Sequence, residues 1–232
     1  MAVSQPSRER KTAQRAKPAT SLVEMAYKEL EKQIVTTQLA PGDWITESQI
    51  GARLGISRTP VREAVQRLAR AKLVEIEPRR GLRITAINVF DQLTLLRFRR
   101  VVEHFITREV AKRAADADRR ALLALAEEME RGSNAGNYAE HYRIDLEYKL
   151  LLLKCVRNEY AATAIEPLWA ASRRFAWVNR HNRDIPKVGK LTANLMRAIA
   201  GGDLRKTAAA TTAFIDSLEA LARRKLKEDD QG

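Results

Sequence analysis

Residues 47–84 decide the fold: E-S-Q-I-G-A-R-L-G-I-S-R-T-P-V-R-E-A-V-Q-R-L-A-R-A-K-L-V-E-I-E-P-R-R-G-L-R-I. A short helix is predicted from Glu47 to Leu54, with Ile50 and Leu54 four apart on one face. Gly55 ends it, because glycine enters the left-handed region without the cost other residues meet. Ser57 then stands as the cap of a second helix, its hydroxyl available to the free N–H groups of the first turn. Pro60 is tolerated in that turn, where no intrahelical donor is lost. Val61, Ala64, Val65 and Leu68 make the apolar stripe of this second helix. At 100° per residue the opposite face carries Thr59, Arg62, Gln66 and Arg70, with Arg58 at the open N-terminal end. Two helices joined by a tight glycine turn describe a helix-turn-helix.

Beyond Leu73 the helical period gives way to alternation. Val74 and Ile76 fall on one face of a strand, Leu82 and Ile84 on one face of the next. Pro78-Arg79-Arg80-Gly81 lies between them as a turn with two cations at its tip. Helix, helix and basic two-stranded wing together predict a winged helix-turn-helix, a frame that binds duplex DNA.

Composition sets outer bounds. The chain has 232 residues, 45% of them hydrophobic, enough for one large or two modest cores. Its formal charge of +13 suggests a polyanionic partner. Residues 1–85 hold 16 Lys and Arg against 9 Asp and Glu, a net +7, which leaves +6 for the remainder. The excess is therefore spread along the chain, and charge alone is weak evidence. A lone cysteine, Cys155, excludes an internal disulfide framework and fits a reducing compartment. Without an apolar run of membrane-spanning length or a signal-peptide core, the expectation is a cytoplasmic protein with no membrane partner.

Outside the central stretch the reading is coarser. Residues 1–19, with Arg8, Arg10, Lys11, Arg15 and Lys17, read as a disordered basic tail, either simply solvated or tracking DNA phosphates. Thr20 or Ser21 caps a helix to about Thr37, with Leu22, Met25, Ala26, Leu30 and Ile34 on its core face. The DNA-binding domain is thus 20–86. From 87 to 232 only helical patterns follow, at Phe90–Ala115, Asp118–Arg131, Ala135–Val156, Glu159–Asn179, Pro186–Ala200 and Asp203–Lys227. Breaks fall at Asp116–Asp118, Gly132-Ser133-Asn134, Arg157-Asn158, His181–Asp184 and Gly201-Gly202. The fold class is mainly α: a winged helix-turn-helix followed by an all-α bundle of about six helices. The breaks are short, so consecutive helices are expected to lie antiparallel.

The order of these parts is similar to a known family. Leu54-Gly55-Ile56-Ser57-Arg58-Thr59-Pro60-Val61-Arg62-Glu63-Ala64, then Leu73-Val74-Glu75 and Arg79-Arg80-Gly81, resembles the winged-helix signature of GntR-family transcription regulators. The helical region resembles the FadR-type sensing domain (FCD) of that family through Leu96–Glu103, Asp145–Leu150, Arg157-Asn158 and Ala198–Asp203. The resemblance covers about residues 20–227. It implies a homodimer, repressor or activator, that grips a pseudo-palindromic operator and is controlled by a small effector, often an organic acid, in the helical domain.

Residues can be assigned to both sites on these grounds. Arg58 and Arg62 suit bidentate contacts to guanine edges in the major groove. Thr59 and Gln66 can touch phosphates or bases, and Ser57 opens a helix N-terminus that favours a phosphate. Arg79, Arg80 and Gly81 at the wing tip meet backbone or minor groove, and Ser48 holds a flanking phosphate. In the helical domain, the resemblance implies a metal held by an aspartate and three histidines. The aspartate corresponds to Asp145, but the histidines fall on Lys149, Thr192 and Phe214, so Asp145 is the only retained ligand and no metal cofactor is expected unless His104 or His141 rebuilds a site.

The helical wheel puts Asp145 and Lys149 in the sector of Tyr142, Leu152, Leu153 and Val156, where buried charges need partners. Four apart, they can pair with each other, with the ammonium standing where the family has its metal. Arg99 falls inside an apolar stripe with Leu95, Ile106 and Val110, and can clamp an effector carboxylate or pair with Glu103. The candidate effector set is Arg99, Glu103, Tyr142, Asp145, Lys149 and Thr192. Trp169, Phe175 and Trp177 read as core or interface, Cys155 as inert packing, and Arg173 and Arg174 can reach the pocket rim although the wheel does not place them. No glycine-rich phosphate loop, nucleophile elbow or histidine–glutamate metal motif points to an enzyme. An architectural DNA-binding protein without a sensor remains the alternative.

Overall fold

The computed structural model describes residues 21–229; the basic tail at 1–19 lies outside them. The DNA-binding unit comprises α1 (Leu22–Val35), β1 (Trp44–Ile45), α2 (Glu47–Leu54), α3 (Arg58–Arg70), β2 (Val74–Glu77) and β3 (Gly81–Ile84). The Thr46 hydroxyl accepts from the Gln49 amide while the Gln49 side chain accepts from the Thr46 amide, a reciprocal cap that starts α2. Gly55 ends α2 at φ +65°, in the left-handed region its identity suggested. Val61, Ala64, Val65 and Leu68 of α3 are buried and meet Ile34, Ile45, Ile50, Leu73, Leu82 and Ile84 in one core.

Four details differ from the sequence reading. Ser57 occupies the cap position of α3 but makes no side-chain capping bond. The third residue of the helix, a usual target of such a bond, is Pro60, which has no N–H to give. The wing is three-stranded: β1 pairs with β3, which pairs with β2. Ile76 is 40% exposed because β2 is the edge strand. Leu22 and Met25 are also exposed, while Tyr27, Glu31 and Val35 are buried. Helix α1 meets a second partner, the other domain, that its own period could not reveal.

Six helices follow: α4 (Val89–Arg113), α5 (Asp116–Asn134), α6 (Tyr138–Val156), α7 (Glu159–Asn179), α8 (Ile185–Gly201) and α9 (Leu204–Asp229). Asparagine caps start three of them, with Asn88, Asn137 and Asn158 each accepting first-turn amides. Gly132-Ser133-Asn134 is not a break; α5 runs through it. Gly189 of α8 lies so close to Ser133 that a Cβ there would sit 1.9 Å from the serine hydroxyl, so the two helices interlock at this point. The expected pairing of consecutive helices holds for α5 with α6 and α8 with α9. The most extensive contacts, however, are α5 on α8 and α4 on α9. Short links bound the path between helices but not which neighbour each apolar face chooses.

The two domains touch through α7. Ala170 belongs to the core of the DNA-binding unit. Arg173 pairs with Glu31 of α1, and Arg67 of α3 lies 2.8 Å from Glu24 and 4.0 Å from Glu166. Arg174 donates to both the hydroxyl and the carbonyl of Thr85, at 2.9 and 2.6 Å, and Thr85 in turn bonds back to Lys72 and Leu73. The connector between wing and bundle is therefore held at both sides.

Candidate functional site

The exposed face of α3 carries what groove recognition requires. Arg58, Thr59, Arg62, Gln66 and Arg70 are all exposed, whereas Arg67 on the flank is tied to Glu24 and lies 4.0 Å over the Tyr27 ring. Neither Arg58 nor Arg62 forms an ion pair among the described residues. Ser48 is exposed in the first turn of α2, and Ser57, with its hydroxyl uncommitted to the cap, is exposed at the opening of α3. At the wing the two arginines differ. Arg79 stands in the left-handed region at φ +66° after Pro78, as the third residue of a tight turn closed by the Arg80 amide on the Glu77 carbonyl. Arg80 folds back over Trp44, 4.6 Å from the ring centroid, and reaches Glu77 at 3.4 Å. Gly81 sits at φ +109°, where a Cβ would come within 2.9 Å of the Ile45 carbonyl, so the turn is drawn tight against β1.

A second site lies inside the bundle. A cavity of about 70 Å³, room for roughly five waters, is enclosed by α4, α6, α7, α8 and α9. Arg99, Tyr142, Asp145, Lys149 and Thr192 all line it. Glu103 does not; it is fully buried behind Arg99 and accepts from its Nε at 2.6 Å and from the Trp169 indole at 3.1 Å. Lys149 Nζ donates to Asp145 Oδ2 at 2.7 Å, so the one-turn pairing forms. Burial pushes the Asp145 carboxyl upward, but the Lys149 ammonium and Arg173 guanidinium outweigh it and hold the group below its usual range. Burial also dominates at Lys149 and brings its ammonium down to about 8 despite Asp145.

Several wall residues lie outside the effector set read from the sequence. His141 is buried, stacked on Tyr138 and in hydrogen-bond contact with the Ser133 hydroxyl through Nδ1 at 3.0 Å; burial lowers its basicity, so it stays neutral at pH 7. Arg173 and Arg180 reach the wall from α7. Arg173 stands inside α7 and Arg180 just past its end on extended backbone, so no helical spacing links the two. Trp169 and Phe175 are buried core, as is Cys155, whereas Trp177 packs against Tyr138 and Tyr142 beside the cavity.

The family's four metal positions do converge here, since Asp145, Lys149, Thr192 and Phe214 share the wall. The donor set does not fit a transition metal: an ammonium and a phenyl ring offer no lone pair, and the Thr192 hydroxyl is engaged with the Val188 carbonyl. His104 lies elsewhere, against Thr212. Among the described residues no three His, Cys, Asp or Glu cluster as a metal site.

A winged helix with an open basic face, joined through α7 to a helical bundle with a charged internal cavity, defines a DNA-binding regulator with a sensory domain. Sequence profiles agree. That of the gntR family of bacterial regulatory proteins matches residues 22–84, and that of the FCD domain matches residues 94–217. The chain belongs to the GntR family, with an FCD domain after its helix-turn-helix; it is a transcription regulator by descent and not an enzyme.

It is 27% identical over 141 residues to the HTH-type regulator YdhC of Bacillus subtilis, covering 60% of this chain and 63% of that one, short of two thirds of that relative's length. It is 24% identical over 162 residues to the HTH-type transcriptional repressor RspR of Escherichia coli, covering 70% and 71%. Among solved structures, E. coli McbR/YncC shares the fold with a TM-score of 0.76 at 17% identity, over 90% of this chain and all of that one. A GntR regulator from Rhodococcus sp. RHA1 gives 0.66 at 21% identity, over 86% and 96%. No helix among the described residues is long and apolar enough to cross a membrane.

Proposed function

We propose that this protein is a cytoplasmic, homodimeric, sequence-specific repressor whose operator affinity is set by a small carboxylate-bearing effector in the bundle cavity. One observation carries the reading. Tyr142, Lys149 and Arg173 line the cavity and also the groove between the bundle and α1. A molecule entering the cavity therefore touches side chains that face the DNA-binding unit, which an architectural DNA protein has no need of. Arg58, Arg62, Thr59 and Gln66 read base edges and phosphates, with Ser48, Ser57, Arg79, Arg80 and Gly81 on the flanks. No metal takes part in this reading; the Lys149 ammonium supplies the positive charge beside Asp145. RspR, named a repressor, supports the sign of regulation. The dimer is supported by an uncovered apolar stripe on α4, where Phe98, Val101 and Phe105 are 54%, 67% and 44% exposed.

The test begins with selection of bound duplexes from a random pool, followed by footprinting of the enriched site with and without a panel of small acids. A defined palindromic footprint that weakens with one acid is expected. Binding without sequence preference, or a footprint that no acid alters, would leave the architectural reading in its place.

A further inference from the structure

Four cationic side chains line the cavity: Arg99, Lys149, Arg173 and Arg180. Three have a carboxylate of their own. Arg99 is held by Glu103, Lys149 by Asp145, and Arg173 by Glu31. The remaining carboxylate on the wall, Asp184, is taken at both oxygens by Arg224, at 3.0 and 2.6 Å. Arg180 is left over: its guanidinium forms no ion pair and no hydrogen bond among the described residues, and its Nε is buried without a partner. It is nonetheless held in place. Its guanidinium carbon lies 4.1 Å from the Tyr138 ring centroid and 4.5 Å from that of Trp177, where cation–π attraction fixes a flat fork. A guanidinium offers five donors in a plane, matched to a carboxylate, and here none of them meets an acceptor among the described residues.

We propose that Arg180 is the anion-binding residue of the sensory cavity, and that the effector is an acid bearing one negative charge. This rests on the reading of the cavity as the effector site and moves the carboxylate clamp from Arg99 to Arg180, since Arg99 and Lys149 are already neutralised at 2.6 and 2.7 Å. With the three internal pairs and Asp184–Arg224 cancelling, one positive charge stays uncompensated on the wall, and a monoanion balances it. A dianion would bring a second charge to a wall whose other cations are already paired with carboxylates, and burial of an unpaired charge is costly. The lining also has an apolar share, with Ile185, Val188, Leu218 and Leu221. The ligand class is therefore a compact monocarboxylate whose body is apolar and whose acid group lies in the plane of the Arg180 fork and accepts from its N–H donors.

The test is a calorimetric titration of the full chain with benzoate, hexanoate, lactate and pyruvate, with benzamide and hexanamide, and with succinate and malate. The wild type is expected to bind at least one monocarboxylate and to bind its amide or a dicarboxylate at least tenfold more weakly. Arg180→Gln should weaken the acid roughly ten- to hundredfold, leave the amide unchanged, and keep the ligand-free melting temperature. Arg180→Lys, with charge but no fork, should fall between. If Arg180→Gln melts early, the acid-against-amide difference in the wild type decides the charge, and Arg180→Lys decides the residue. Undiminished acid binding by folded Arg180→Gln overturns this assignment and leaves the cavity reading intact; preference for a dicarboxylate overturns the single charge. Binding of no acid by the wild type overturns both readings.

Discussion

Lys149→Met removes the ammonium from the bundle while keeping most of the side-chain volume. Asp145 and Lys149 are 8% and 5% exposed and 2.7 Å apart, so the variant leaves a carboxylate in a site that water scarcely reaches. Breaking a buried pair in this way costs about 3–5 kcal/mol. The structure argues for the lower end, about 3 kcal/mol, because the Arg173 guanidinium still acts on Asp145. For a chain of this size that is a fall of roughly 6–12 °C in melting temperature. Asp145→Asn alone leaves the ammonium unpaired and should cost a similar amount. The double variant removes both charges and should return to within about 1 kcal/mol of wild type, since a buried pair replaced as a unit is near neutral. Thermal melts of the four proteins at pH 7 give the coupling directly. If Lys149→Met loses less than about 1 kcal/mol and the two changes simply add, the pair is not buried and coupled as described, and the polar floor of the cavity has been misread.

Four further outcomes follow. Because burial depresses Lys149 to about 8 from 10.5, the unfolded chain binds more protons between those values, so stability attributable to this group rises with pH across that window. The difference in unfolding free energy between wild type and the double variant should therefore grow in favour of wild type from pH 8 to 10, and a flat difference would contradict the shift. Arg62→Ala should cost roughly 1–3 kcal/mol of operator binding and relax preference at one base position. Arg79→Ala should weaken all duplexes alike and lower the salt slope by about 1; electrophoretic titrations at several salt concentrations separate the two. Glu31→Gln removes the carboxylate partner of Arg173 across the domain contact, and should speed amide hydrogen exchange in α1 while leaving the core of α8 protected. Unchanged exchange in α1 would show that the pair does not hold the domains together.

The DNA-binding unit was legible in the sequence because its signals are local. A glycine turn, a proline in the first helical turn and a four-residue apolar stripe each act within a few residues of where they are read. The exposed face of α3 follows from the same 100° step. What failed there was also local in cause: Ser57 cannot cap onto a residue that lacks an amide hydrogen, which Pro60 already announced. The bundle was legible as six helices and as a place for buried charge, since Arg99 and Lys149 interrupt apolar stripes. The partner of each charge was legible only where it lay one turn away, at Glu103 and Asp145. Glu31 with Arg173, and Arg180 between Tyr138 and Trp177, join residues 142, 42 and 3 positions apart on different helices or at a helix end. No period or spacing encodes those meetings. The same holds for the burial of Glu31 itself, which reads as a solvated position on α1 until α7 is set against it.

The arrangement of the four cavity cations on their helices bears on how a bound acid can matter to DNA. Arg99 and Lys149 pair within their own helices, so their partner carboxylates, Glu103 and Asp145, both belong to the bundle. Arg173 and Arg180 are different: Arg173 stands in the C-terminal half of α7 and Arg180 just past its end, both on the cavity wall, and Arg173 is also the counter-ion of α1. An acid that settles on Arg180 adds negative charge to the wall that also holds a guanidinium Glu31 and Asp145 already share. Partly buried charges are screened less than those at the surface, so this one competes with Glu31 for the same cation. Coupling between sites requires a differential interaction at each end and a shared element between them. Helix α7 is such an element, with the anion's partner just past its end and the α1 contact inside it, and with Arg174 on the wing connector between them.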